Sequence, residues 1–348
     1  MKHNRNQLLD VAKGVAIILV ILGHAVQQCS GLDGREVLDL WIERYLISFH
    51  MPLFMLISGY LFYYSLQRHS EMEVVKSRLN MFAWPILTMA VLHHMRGHVT
   101  HFNVISFVTD FPMSMFNSLW FFWALLVITL LVCLVHRFLN DHWLGYLTII
   151  AFTLLLPDAY PLRAYVHLLP TFVVAYMFAK YGNVNKLVGG GKTGLCLYLL
   201  LLVMFMAIHL LMLQGFGYDD MIYFSRYSLL GSTDLWADMS RDVFRFTIGI
   251  VGSMSVLLAL HLTIQAGMLR GKVLGYLKTV GSMTFGIYVF QDLLLLVLNP
   301  ISRFLNQDYW ILYSTIAFGI LLWFSIKCTI ISEKKPIVSK LFLGKNRK

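Results

Sequence analysis

The chain predicts an all-α fold, a polytopic membrane bundle of about ten transmembrane helices with both termini cytoplasmic, and three observations carry that expectation. Of 348 residues, 58% are hydrophobic and only 13% charged, against roughly 25% charged in ordinary soluble domains, so too few charges remain to coat a globule. Apolar runs of roughly 20 residues, enough to cross a hydrocarbon layer of roughly 30 Å as helices, recur along nearly the whole sequence, and mean hydropathy is +0.68. Basic residues concentrate in alternate connections, as a fixed membrane orientation requires.

The first run, 8–26, follows Lys2, His3 and Arg5 as a signal-peptide core would. Gln27, Gln28 and Cys29 stand where a small-residue cleavage site is needed, so the run is retained as the first span. The others are expected at about 45–66, 79–95, 118–136, 143–157, 164–181, 194–213, 243–263, 281–298 and 309–330, the fifth being short. Pro52, Pro85 and Pro170 fall inside spans, where neighbouring helices can satisfy the freed backbone groups.

With the N-terminus inside, the inner segments hold Lys2, Arg5, Lys13, Arg68, Lys76, Arg78, Arg137, Lys180, Lys186, Lys192, Arg270, Lys272 and Lys278. A tail from Lys327 adds seven more, making 20 of the 28 basic residues. The outer loops are acidic, with Asp33, Glu36, Asp39 and Glu43 in the first and Asp219, Asp220, Asp234, Asp238 and Asp242 in the fourth. Ten spans with both ends inside fit this alternation. The formal net charge of +10 then reflects the lipid bilayer as partner, and no nucleic acid is expected.

No repeat period or low-complexity tract interrupts the chain, which reads as a single domain over 1–348 with a short basic tail from about 331. Gly189, Gly190 and Gly191 before Lys192 and Thr193 imitate a phosphate loop, but Lys186 occupies the place of the first glycine and no strand precedes it, which favours a flexible turn. The four cysteines are scattered, three of them in apolar spans, and form neither a disulfide framework nor a zinc pattern. His93, His94, His98 and His101 surround the outer loop that follows the third span. Their spacing fixes no coordination geometry, so a solvated loop is expected and no metal. The longest outer connection, about 214–242, sets Tyr218, Tyr223, Tyr227 and Trp236 among its acids, a composition that suits sugar binding and an interfacial aromatic belt equally.

Ionisable side chains inside spans are costly, which makes each a candidate for function. The first span holds Asp10, Lys13 and His24. Eleven positions at 100° each bring His24 within about 20° of Lys13 on one helix face, roughly 16 Å farther along the axis. Asp10 can pair with Lys13 and lies within about 40° of the His24 direction. The separation is comparable to an extended pantetheine arm: a cytoplasmic acyl-CoA with its phosphates near Lys13 would present its thioester towards His24. Alternatively, Asp10 and Lys13 anchor the helix at the inner interface and His24 packs structurally.

Other residues carry paired readings. His50, at roughly the depth of His24, shares its pocket or packs beside Pro52. Arg78 grips phosphates or anchors its span. Trp120 lines a channel or fills a helix crossing. Asp292, in mid-span beside Gln291, needs a partner or a proton. Glu43, Arg44 and Arg163, at the outer rim, meet an acceptor or face water.

The stretch from Leu9, Asp10, Val11, Ala12 and Lys13 to Gly23 and His24 resembles the opening of the acyltransferase-3 family, bacterial membrane O-acyltransferases. Phe49, His50, Met51, Pro52, Leu53 and Phe54, with Ser58, Gly59 and Tyr60, resemble its next signature. Lys76, Arg78 and Pro85, then Leu119, Trp120 and Phe121, then Leu169 and Pro170 with Ala175 and Tyr176, and finally 281–288, follow its order.

The resemblance implies transfer of an acyl group, usually acetyl, from cytoplasmic acetyl-CoA or another acyl-CoA to a hydroxyl of an extracytoplasmic glycan or lipid-linked sugar, at the bacterial cytoplasmic (inner) membrane. It implies a catalytic role for His24 with Asp10, donor binding by Lys13, Arg78 and Lys76, and substrate contacts from His50, Ser58, Tyr60, Trp120, Glu43 and Arg163. As chemistry, His24 suits either a general base towards the sugar hydroxyl or a carrier of the acyl group. Two departures stand out: Lys13 replaces the common arginine, exchanging a bidentate grip for a point charge, and Gln291 follows Tyr288 where the family often has histidine. With no esterase-like domain after the tenth span, a stand-alone transferase is expected. The competing function is an exporter of polysaccharide or lipid-linked glycan, for which paired halves with broken helices would be the signature.

Overall fold

The computed structural model describes residues 7–32, 36–37, 40–98, 103–156, 162, 165–182, 192–215, 234–302 and 304–345. Regular structure among them is helical: α1 (Gln7–Cys29), α2 (Trp41–Leu66), α3 (Glu71–Gly97), α4 (Val104–Asn117), α5 (Trp120–Leu139), α6 (Trp143–Thr153), α7 (Tyr165–Tyr181), α8 (Lys192–Gly215), α9 (Leu235–Gln265), α10 (Gly271–Ser282), α11 (Thr284–Ser302), α12 (Trp310–Lys334) and α13 (Pro336–Leu343). Among the described residues seven helices, α1, α2, α5, α8, α9, α11 and α12, are long and apolar enough to cross a membrane. The other three expected spans are also helical, but α3 is more polar over its 27 residues, α6 has 11 and α7 has 17. The expected span at 281–298 is interrupted at Met283, between α10 and α11.

Apolar side chains cover the outside as well as the inside. On α8, Leu195, Leu199, Leu200, Val203 and Leu210 are each at least half exposed. Facing water, such area would cost roughly 25 cal/mol per Å², so lipid is its solvent and the protein is integral to a membrane. Cys196 belongs to this exposed surface, whereas Cys29 and Cys133 are buried. Hydroxyls inside the apolar helices bond to their own backbone, as Thr171 does to His167 O (2.7 Å) and Thr329 to Ser325 O (2.7 Å), which removes the cost of carrying them into hydrocarbon.

The chain divides into two compact units, each assembled from three chain segments. The first comprises Met1–Val20, Leu38–Arg68 and Phe138–Ser282. Here α2 runs against α7 at Gly59, where a Cβ would lie 2.2 Å from Phe172 O, and Phe62 packs on Phe172 and Tyr176 alongside. Ser253 of α9 donates to Phe49 O (3.1 Å), over a core of Phe49, Phe205, Ile248 and Val251. Gly14 of α1 and Gly281 of α10 meet backbone to backbone: a Cβ on Gly14 would stand 2.2 Å from Leu277 O, and one on Gly281 1.9 Å from Asp10 O. Between helices in lipid, dispersion and small residues supply the attraction that burial from water supplies elsewhere, so these glycines set the crossing.

This unit also holds a saturated carboxylate. Asp141, at φ +59° between α5 and α6, accepts from Tyr146 Oη at 2.6 Å, Tyr176 Oη at 3.1 Å and Lys180 Nζ at 2.8 Å.

The second unit comprises Ile21–Val37, His69–Arg137 and Met283–Lys348. Its interior is aromatic: Phe122 stacks on Phe285 at 4.4 Å and touches Phe82 and Tyr288. α13 docks on α3 through Thr88 Oγ1 to Leu341 O (3.1 Å) and Lys340 over the Trp84 ring (4.5 Å). The outer loop after the third expected span departs from the solvated loop expected of it. It contains α4, fastened to α3 by His94, whose Nε2–H donates to Phe107 O (2.6 Å) while Nδ1 meets Ser114 Oγ (2.8 Å). Two bonds on one buried imidazole hold an otherwise superficial helix in place.

Candidate active site

In the second unit, α1 passes beside α11. Asn299 Nδ2 donates to Gln28 Oε1 (3.2 Å), fixing the two helices near their C-terminal ends. One turn earlier on α1 stands His24, partly accessible, with its Nδ1 buried and without a hydrogen bond. Gln291 of α11 is wholly buried beside this ring, with the carboxylate of Asp292 in electrostatic reach. The Gln291 amide oxygen and nitrogen also lack bonds that meet strict geometry.

Asp292 is in turn held by α3: His93 Nε2–H donates to Asp292 Oδ2 at 2.7 Å, a contact across 199 positions of sequence. Both side chains remain partly accessible. One turn below, Tyr288 closes the site against Phe121 and Phe122 of α5. The result is an imidazole within a membrane helix, one carboxylate near it, a second imidazole locking that carboxylate, and unspent hydrogen-bonding capacity at the centre. Buried polar groups ordinarily find partners, so this centre has the composition of a proton-handling site.

The first unit receives other expected residues. Asp10 and Lys13 form the anticipated pair at 3.2 Å, Asp10 being buried, and the carboxylate in electrostatic reach of His24 is that of Asp292. His50 Nδ1–H is spent on Leu46 O of its own helix. Ser58 is half-buried, and Tyr60 Oη contacts Tyr64 Oη at 3.3 Å. Tyr60 also lines an apolar cavity of about 290 Å³, with Leu9, Leu56, Phe178, Leu201 and Leu258. Glu43 is wholly buried in the first turn of α2, which removes the water-facing alternative of its paired reading. Arg163, His101, Tyr218, Tyr223 and Tyr227 lie outside the described residues.

In the second unit, Lys76 is exposed and Arg78 half-buried near the start of α3, and Trp120 opens α5 directly after Leu119, which adopts φ +46°. His93 and His94, expected at the end of the third span beside an outer loop, are helical and engaged. The pairing of His93 with Asp292 was missed by sequence reasoning. Its available signal was that Asp292, in mid-span, required a partner.

The fold and site define a polytopic membrane protein with an intramembrane histidine–carboxylate centre. Residues 6–329 match the family model described as "Acyltransferase domain", and the chain belongs to this acyltransferase-3 family. Nodulation protein NolL of Sinorhizobium fredii (strain NBRC 101917 / NGR234) is 32% identical over 187 residues, 51% of this chain and 50% of its own length. Nodulation protein NolL of Mesorhizobium japonicum (strain LMG 29417 / CECT 9101 / MAFF 303099) is 29% identical over 189 residues, 51% and 49% respectively. The chain thus spans about half the length of the curated relatives it matches. No solved structure matches it.

Proposed function

We propose that the protein is an O-acyltransferase of the bacterial inner membrane, moving an acyl group, acetyl foremost, from cytoplasmic acyl-CoA to a hydroxyl of an extracytoplasmic glycan or lipid-linked sugar. The observation that carries this reading is His24: an accessible imidazole on a membrane helix of an acyltransferase-family chain, with its buried edge facing an amide and a carboxylate. A neutral imidazole so placed can accept the proton of an attacking hydroxyl, or accept the acyl group itself.

Ten crossings with both termini cytoplasmic belong to the same proposal and rest on the alternation of basic and acidic connections. α1 is unbroken from Gln7 to Cys29, so the register between Lys13 and His24 read from the sequence applies along it. On that basis Lys13, with Lys76 and Arg78, is assigned to the phosphates of the donor. His50, Ser58, Tyr60, Trp120, Glu43 and Arg163 are assigned to the acceptor and the acyl group.

Mass spectrometry of surface glycans, from cells with the protein, without it and with His24→Ala, tests the reading. The expected result is the loss of one acyl mass from the same glycan in the latter two, with the variant inserted and abundant. Glycan export that fails while acylation of the residual glycan stays intact would overturn it in favour of an exporter.

A further inference from the structure

The geometry assigns Asp292 and His93 to the reaction: we infer that Asp292, clamped by His93, positions and electrostatically supports His24 while the imidazole carries the hydroxyl proton. The inference rests on the acyl-transfer reading of the same site. In direct transfer, the acceptor oxygen bonds to the thioester carbonyl carbon as its proton passes to a ring nitrogen of His24. The carbon–sulfur bond then breaks, and the departing thiolate takes that proton, so ester and free CoA thiol form with no net proton change. Between these events His24 is an imidazolium inside a low-dielectric helix bundle, where a lone charge is expensive and a nearby opposite charge correspondingly valuable.

Asp292 supplies that charge, and among the described residues the surroundings supply no rival. On α1 the ionisable group at this level is His24, and on α3 it is His93, since His94 is turned to α4. On α11 the nearest is Tyr288, enclosed by Phe121 and Phe122. Lys340 of α13 is committed to the Trp84 ring, and α12 carries no ionisable side chain from Ser314 through Ile326. A carboxylate free to turn would lose this direction. The 2.7 Å bond from His93 Nε2–H fixes one oxygen, as a third group orients the acid in a nucleophile–base–acid arrangement. Gln291, wholly buried against the ring, can fix the tautomer by accepting from Nδ1–H, leaving Nε2 as the base.

The test is the pH dependence of acyl transfer by the full chain, purified in detergent or reconstituted, with acetyl-CoA as donor. Asp292→Asn should lower kcat by about 30- to 100-fold and move the acidic limb of the profile down by about one pH unit, because the imidazolium loses its counter-charge. KM for acetyl-CoA should hold. His93→Ala should lower kcat similarly, while His93→Gln, whose amide still donates to Asp292, should recover most of it. Asp292→Glu, which keeps the charge, should leave the limb in place, and it carries the test if the Asn variant fails to accumulate. A loss of kcat with an unmoved limb in Asp292→Asn, or no rescue by His93→Gln, would overturn the inference and leave the pair a structural staple. Activity retained in His24→Ala would likewise overturn the inference, whereas no acyl transfer by the parent protein would instead reject the acyl-transfer reading itself.

Discussion

Two carboxylates of this protein, Asp141 buried and Asp292 partly accessible, differ in saturation. Asp141, in the first unit, accepts from two tyrosine hydroxyls and a lysine within 3.1 Å. Asp292, in the second, is fastened by the single bond from His93 and lies beside a histidine and a glutamine whose buried polar atoms are unspent. A carboxylate whose lone pairs are filled by rigid neighbours has no capacity left for a changing charge, so Asp141 tethers the N-terminal end of α6 to the C-terminal turn of α7. Unspent capacity next to a titratable ring is costly to keep and is what proton transfer needs.

The contrast breaks first at His24. His24→Ala should reduce turnover by about 10³-fold or more, while thermal unfolding in detergent stays near that of the parent. An unfolding midpoint that collapsed along with turnover would place His24 with the structural groups. The converse experiment is Asp141→Asn, which tolerates the positive φ but leaves Lys180 without its charge partner. Loss of about 3 kcal/mol of stability is expected, with kcat per folded molecule unchanged. Lys13→Ala should raise KM for acetyl-CoA by about 10-fold through loss of one charge-assisted contact, with kcat little altered. The smallest effect is Tyr146→Phe, which removes one of three donors to Asp141 and should cost about 1 kcal/mol. A change in acyl transfer per folded molecule in that variant would blur the distinction between the two carboxylates.

Much of the framework was legible because it is local. Hydropathy over some 20 residues placed the expected spans on helical segments, the one at 281–298 broken at Met283, and Pro52, Pro85 and Pro170 fall inside helices. His24 stood out as an imidazole in an apolar run, and the Asp10–Lys13 pair followed from helical spacing alone. The outer loop after the third expected span was misread because α4 draws its anchorage from His94 on another helix, which no local pattern announces. For Glu43 two readings stayed open because charge at a span boundary usually means solvent, whereas its place in the bundle is interior.

By itself, then, the amino-acid order determined that the chain is helical, lipid-embedded and marked by one conspicuous histidine, since those properties depend on residues a few positions apart. Tertiary structure alone decided which acid lies near that histidine. Asp10 and Asp292 are both carboxylates in apolar helices, and the choice between them was made by the docking of α11 and α3 around the outer half of α1, contacts across hundreds of residues that hydropathy and periodicity do not encode.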